Sequence, residues 1–227
     1  MMLVVLWEAG RTPTPPRERP SADPGREVRA PVPGLGLTFR ELTPSTWKDF
    51  VSLFGEYNGV QAGCWCMFYH RRGPNRAPTE ELRQRANRQD HRKLVEKGEG
   101  QGILVYQGGR PIGWCQYGRR ESLPRIEEGR KYAGLPPELR ASPRWRITCF
   151  FVHRPYRRRG VAGRALRAAL RSIASQGGGL VEAYPATNPR AVGVWFGSVG
   201  MFRREGFEVV CPFGQSNVLV RRSVAAD

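Results

Sequence analysis

The sequence predicts a mixed α/β (α+β) fold in which one central sheet is flanked by helices. Three observations lead there. Strand-like and helix-like apolar patterns interleave from Leu37 to Arg221 in the order β, α, α, β, β, β, α, β, α, β, β. The run Trp145 to Val152 is apolar enough to be a central strand buried on both faces. It passes through Pro155 and three arginines into a small-residue-rich helix, a strand-turn-helix unit typical of layered folds.

The elements follow in order. Residues 8 to 36 carry seven prolines and scattered charges, too little apolar surface to offset ordering entropy. Residues 1–36 are therefore expected to be a disordered extension, with the folded domain at 37–222 and a short tail at 223–227. Leu37 to Leu42 alternates as a first strand. Thr43-Pro44 reads as an N-cap followed by proline at the first helical position, with Trp47, Phe50, Val51 and Phe54 on one helix face. Thr79, Glu80 and Glu81 open a second helix running to about Glu96. Gly102 to Gln107 and Pro111 to Tyr117 form a hairpin about Gly108-Gly109. Residues 119 to 143 read as a long loop. Val161 to Gln176 is a helix with Ala165, Leu166, Ala169, Leu170 and Ile173 in its packing stripe. Gly179 to Tyr184 is a strand, and Trp195 to Glu205 a helix stopped by Gly206. Phe207 to Cys211 and Asn217 to Arg221 close the domain as a hairpin.

Bulk composition narrows the function. The net charge is +17, but 33 of the 37 basic residues are arginine and only Lys48, Lys93, Lys97 and Lys131 are lysine. That skew reads as general basicity and argues against a nucleic-acid stripe. Five cysteines, an odd number in apolar contexts, favour reduced thiols and a cytoplasmic protein. The apolar stretch Met1 to Trp7 is too short for a signal sequence, and nothing approaches a membrane span. Cys64-Trp65-Cys66 with His70 lacks a second ligand pair, so no metal is expected.

The chemistry concentrates after the central strand. Pro155 ends the ladder, Gly160 permits close backbone approach, and the run Arg157, Arg158, Arg159, Gly160, Val161, Ala162 and Gly163 directs N–H groups and fixed charge at an anion. The turn is neither a Walker loop nor a dinucleotide fingerprint. Arg157-Arg158-Arg159-Gly160-Val161-Ala162 resembles the Arg/Gln-x-x-Gly-x-Gly/Ala signature of the GNAT (Gcn5-related) N-acetyltransferases. Met201-Phe202-Arg203-Arg204-Glu205-Gly206-Phe207 is similar to that family's closing helix and its Gly-Phe ending. The resemblance covers about residues 37 to 222.

What the resemblance implies is a mostly antiparallel central sheet, acetyl-CoA as cosubstrate, and direct attack of a primary amine on the thioester. The pyrophosphate would lie on Arg157 to Gly163, and the pantetheine arm on backbone groups of Phe151 and Val152. The family's usual tyrosine acid falls on Phe202, which has no proton to give, so Ser198, one turn earlier, and Tyr184 are the candidates to assist the departing thiolate. Glu182, a lone carboxylate in an apolar strand, is the candidate base. Trp65, Tyr69, Trp114 and Gln116 are expected to wall the acceptor pocket. The Cys-Trp-Cys segment, with Gly113-Trp114-Cys115-Gln116, is similar to a bacterial subgroup of the family. The acceptor is expected to be a small molecule, with a protein or peptide amine, or a catalytically degenerate acyl-CoA-binding domain, as the alternatives. Homodimers are common in the family.

Overall fold

Strand β4, Trp145–Val152, is the axis of the molecule in this computed structural model, which describes residues 36–140, 143–188 and 195–227. The expected disordered extension at 1–36 lies, but for its last residue, outside the described residues. On one side β4 pairs antiparallel with β3 (Arg110–Arg119), followed outward by β2 (Gly102–Gln107) and β1 (Leu37–Glu41). On the other it pairs parallel with β5 (Gly179–Ala183), then β7 (Val218–Val224) and β6 (Glu208–Pro212). The seven-stranded sheet is mixed and mostly antiparallel, as expected.

Each face of the sheet has its own core. Helix α5 (Val161–Ser175) lays Ala165, Leu166, Ala169, Leu170 and Ile173 over Ile103, Ile112, Cys115, Trp145 and Ile147. Burial at this stripe is what makes the arginine-rich helix stable, since helix propensity alone adds little. Opposite, α1 (Trp47–Gly55) packs Trp47, Phe50, Leu53 and Phe54 onto Leu104, Trp114 and Phe151. Helix α2 (Glu80–Glu96) is capped by Thr79, whose Oγ1 accepts from Leu82 N–H at 3.2 Å.

Three expectations differ from the structure. Thr43-Pro44 does not start α1: residues 43–46 close a turn through Thr46 N–H to Thr43 O, and the helix opens at Trp47. The expected loop at 119–143 contains two short helices, α3 (Arg125–Glu128) and α4 (Arg130–Ala133), which set Ile126 and Tyr132 against Leu123 and Leu219. The last helix, α6, is only Val199–Arg203. Its expected first turn is instead non-helical, because Trp195 O accepts from Phe150 N–H at 2.7 Å and Gly197 O from Ala186 N–H at 3.1 Å. Tertiary hydrogen bonds override a helical pattern there. Among the described residues, no helix is long and apolar enough to cross a membrane.

Those two bonds position the site. β4 and β5 pair only from Trp145 to Ile147, while β4 runs on to Val152. The stretch Trp195 to Ser198 enters the wedge between the diverging strands, leaving the far end of β4 open beside the start of α5.

Candidate functional site

The open end of β4 runs directly into an anion cradle. A turn at Arg154–Tyr156 leads to Arg158 and Gly160, both with left-handed backbone (φ 58° and 76°), and then to α5 at Val161. The first intrahelical bond is Arg164 N–H to Gly160 O at 3.1 Å, so the N–H groups of Val161, Ala162 and Gly163 precede the helix ladder. The helix dipole adds partial positive charge at the same point. A side chain on Gly160 would project into open space, and Gly163 faces Met201 of α6. Arg157 and Arg158 are exposed and Arg159 partly so. Arg157 Nε donates to Val152 O at 2.8 Å.

Backbone direction along β4 separates the two residues expected to hold the pantetheine arm. Phe150 N–H points to Trp195 and His153 N–H to Ile112 of β3. By alternation Val152 turns its backbone to the open edge, while Phe151 turns its backbone to β3. Phe151 instead contributes its ring to a cavity.

That cavity, about 610 Å³, lies on the α1/α2 face of the sheet. Its back is β4 at a bulge: Gln116 pairs with Cys149 and Tyr117 with Ile147, leaving Thr148 as the extra residue. Thr148 Oγ1 donates to Gln116 Oε1 (2.8 Å), and Gln116 Nε2 donates to Cys66 O (2.8 Å) and to His70 Nε2 (3.1 Å). His70 Nδ1–H in turn donates to Ser122 O at 2.7 Å. With both ring nitrogens taken, His70 neither ligates a metal nor protonates easily; burial pulls its pKa down to about 4. His91, tilted at 39° behind it at 5.7 Å between ring centres, is pulled by burial to about 3. Neither of its ring nitrogens has a side-chain or backbone partner at good hydrogen-bond geometry, although the nearby Trp65 backbone offsets the shift slightly.

The near wall is a strained loop. Asn58, Val60, Ala62, Trp65 and Cys66 all have positive φ, and a β-branched valine at φ 65° is a true outlier. Asn87 of α2 holds this loop by donating to Gly63 O at 2.8 Å, while its Oδ1 accepts from Arg71 and Asn75. Gly59 must be glycine here, because a Cβ would sit 2.3 Å from Trp65 Nε1. Burial raises the thiol of Cys64 to about 11 and pushes that of Cys66 well up, so neither is a thiolate at neutral pH.

Of the four expected wall residues, Tyr69 and Gln116 line the cavity. Trp65 and Trp114 stand behind it in the core, where Trp114 Nε1 donates to Cys66 Sγ at 3.1 Å. Burial raises the Tyr69 hydroxyl, which stays protonated.

Of the expected catalytic residues, Glu182 and Tyr184 meet each other, but neither they nor Ser198 line this cavity. Glu182 is 0% exposed and lies outside the lining of this cavity. Strand register sets it between Arg146 of β4 and Arg221 of β7. Its Oε2 accepts from Arg221 Nε (2.9 Å) and Nη2 (2.8 Å), and its Oε1 accepts the Tyr184 hydroxyl. The carboxylate thus locks the sheet, and the Tyr184 hydroxyl is committed to it. Ser198 is not a mid-helix residue one turn before Phe202 but the N-cap of α6, accepting from Met201 N–H at 3.3 Å. Phe202 is 0% exposed, packed edge-on against Phe150 and Phe207.

Sequence reasoning missed Thr148, Cys149, Arg83, Asn87 and Arg125, all of which line the cavity. The spacing of Arg83 and Asn87 on one face of α2 was the available signal. It was lost among the chain's many arginines, and the bulge that presents Thr148 and Cys149 has no local signature.

The acetyltransferase (GNAT) family model matches residues 67–197, more than half of the chain. Among solved structures, one from Corynebacterium glutamicum ATCC 13032, titled histone acetyltransferase HPA2 and related acetyltransferase, is 16% identical with a TM-score of 0.51, covering 84% of this chain and 98% of that one. Ard1 from Thermoplasma volcanium is 16% identical with a TM-score of 0.45, covering 83% and 97%. Ribosomal-protein-alanine N-acetyltransferase from Brucella melitensis is 13% identical with a TM-score of 0.46, covering 82% and 99%. No curated protein matches the chain. At such identity the likeness to the Corynebacterium glutamicum structure speaks to fold alone.

Proposed function

This chain belongs to the acetyltransferase (GNAT) family, and we propose that it transfers an acetyl group from acetyl-CoA to a primary amine of a small molecule. The observation that carries this reading is the juxtaposition of three features. Free N–H groups of Val161, Ala162 and Gly163, the open edge of β4 at Val152, and a walled cavity at Cys149 follow one another along one strand-turn-helix unit. That fits a long ligand with a pyrophosphate at one end and a reactive thioester at the other. The enclosed aromatic wall favours a small acceptor over a peptide.

Acetyl-CoA, when bound, supplies the acetyl group as an activated thioester. In the transfer the amine nitrogen attacks the carbonyl carbon. The N–C bond forms, the C–S bond breaks, and the proton lost by the amine balances the one gained by the CoA sulfur. Among the described residues lining the cavity there is no carboxylate or histidine to take that proton. The chain's contribution is therefore positioning: the helix start fixes the phosphates, β4 orients the arm, and the cavity excludes bulk water. The Ser198 hydroxyl, at the wedge between β4 and the chain after β5, keeps its own proton free to donate to the departing sulfur.

The test is isothermal titration of acetyl-CoA followed by amine-dependent CoA release. Binding with release on addition of a small amine is expected. Absence of acetyl-CoA binding would overturn the reading.

A further inference from the structure

The acceptor cavity has a chemical polarity that names a substrate class. Among the described residues its lining holds three arginines, Arg71, Arg83 and Arg125, and no acidic side chain. Arg71 is already committed, to Asp90 and to Asn87 Oδ1. Arg125 spends one N–H on Gly73 O (3.1 Å) and lies 4.1 Å over the Phe68 ring, and forms no ion pair among the described residues. Arg83 likewise forms no ion pair among the described residues. Two guanidinium groups without an ion pair among the described residues, Arg83 having only the weak pull of the exposed Glu81 carboxylate, thus line a partly enclosed space, an arrangement suited to a carboxylate, which an arginine fork binds in two-point fashion.

The lining also includes the apolar and aromatic side chains of Phe54, Met67, Phe151, Trp195 and Phe196, beside neutral polar groups such as Asn87, Gln116 and Thr148. Resting on the acetyltransfer reading above, we propose that the acceptor is an amine carrying a carboxylate on an apolar body, the class of aromatic and branched α-amino acids. The carboxylate sits toward Arg83 and Arg125, the side chain against the aromatic wall, and the amine toward the thioester end at Cys149. The same positive field disfavours an ammonium and favours the neutral amine, which is the attacking form. It also rejects polyamines and other polycations, whose extra charges would meet the arginines.

The experiment measures kcat/KM on the full chain for two matched series: phenylalanine, phenylalaninamide and phenethylamine; leucine, leucinamide and isoamylamine. Spermidine is the polycationic probe. Each carboxylated amine is expected to exceed its amide and its decarboxylated partner at least tenfold, with spermidine inactive. In Arg83→Gln and in Arg125→Gln, the ratio of phenylalanine to phenylalaninamide is expected to fall toward one, chiefly through KM. Preference for the uncharged or polycationic amines, or an unchanged ratio in both variants, with acetyl-CoA binding intact, overturns this inference alone. Failure of acetyl-CoA to bind overturns the acetyltransfer reading and this inference with it.

Discussion

The turn from Val152 to Gly163 is one unbroken stretch of chain, whereas the cavity beside it draws Cys66, Tyr69, Arg83, Gln116, Arg125 and Cys149 from separate loops, helices and strands. On the CoA side, adjacent residues do adjacent jobs: a proline ends the strand, a glycine takes φ 76°, and a helix begins. On the acceptor side each residue depends on partners far along the chain. Thr148 is oriented by Gln116, Gln116 by Cys66 and His70, and the Cys66 loop by Asn87. Local chemistry therefore writes the first region into sequence, while the second exists only once the fold has formed.

The largest effect that would break this contrast is at Gly160. Gly160→Glu places bulk and negative charge where the free N–H groups converge, and acetyl-CoA binding should fall below detection in isothermal titration. Gly160→Ala separates charge from backbone strain. It should cost about 1–2 kcal/mol of stability for a left-handed alanine yet keep measurable binding. Equal binding by wild type and Gly160→Glu would show that the phosphates lie elsewhere.

Glu182 belongs to neither region, and its variant sharpens the boundary between them. Removing its charge takes the carboxylate from Arg221 and leaves the fully buried Arg146 with Glu127 as its remaining ion-pair partner among the described residues, which should cost up to about 3–5 kcal/mol. Urea unfolding of Glu182→Gln should show that loss. A variant of native stability with sharply reduced turnover would instead make Glu182 part of the chemistry.

The layer behind the proposed acceptor cavity also carries an acid sensitivity. His70 and His91 are held at about 4 and about 3, below the value of an unfolded histidine. The unfolded chain therefore binds more protons as pH drops below about 6.5. Stability is fully present above that pH and falls as the medium is acidified toward 3. Each histidine should contribute roughly 3 kcal/mol or more over the full window. His91→Leu, which removes two unpartnered nitrogens from an aromatic cluster, should flatten the decline between pH 6.5 and 5. An unchanged pH slope would show that His91 takes up its proton over the same pH range folded as unfolded.

How much of this was legible follows the same division. Trp145–Val152 and α5 came directly from apolar patterning, because a buried strand and an amphipathic helix declare themselves within a dozen residues. Residues 195–198 did not, because their backbone bonds go to Phe150 and Ala186 rather than to their own helix. Glu182 looked catalytic because a lone carboxylate in an apolar strand is costly. The cost is offset by ion pairs with Arg146 and with Arg221, 39 residues away in sequence, and by a hydrogen bond from the Tyr184 hydroxyl two residues on. Trp65 and Trp114, expected in the pocket wall, pack in the core behind it, because side-chain type alone does not say which layer a large aromatic fills.

The smallest expected effect concerns the point where the two regions meet. Ser198 caps α6 through Met201 N–H and sits at the wedge between β4 and the chain after β5. As a cap alone, Ser198→Ala should cost about 1 kcal/mol, whereas Ser198→Gly should cost only a few tenths, because glycine is a tolerated N-cap. Both variants lack the hydroxyl. If that hydroxyl hydrogen-bonds the departing sulfur, turnover should fall by a similar factor in both, although only one loses stability, and Ser198→Thr should recover both properties. Turnover that tracks stability across the three variants would reduce Ser198 to a cap and leave the thiolate to solvent. Phe202, sealed against Phe150 and Phe207, offers no alternative donor, so this comparison decides whether any side chain of α6 takes part in the chemistry.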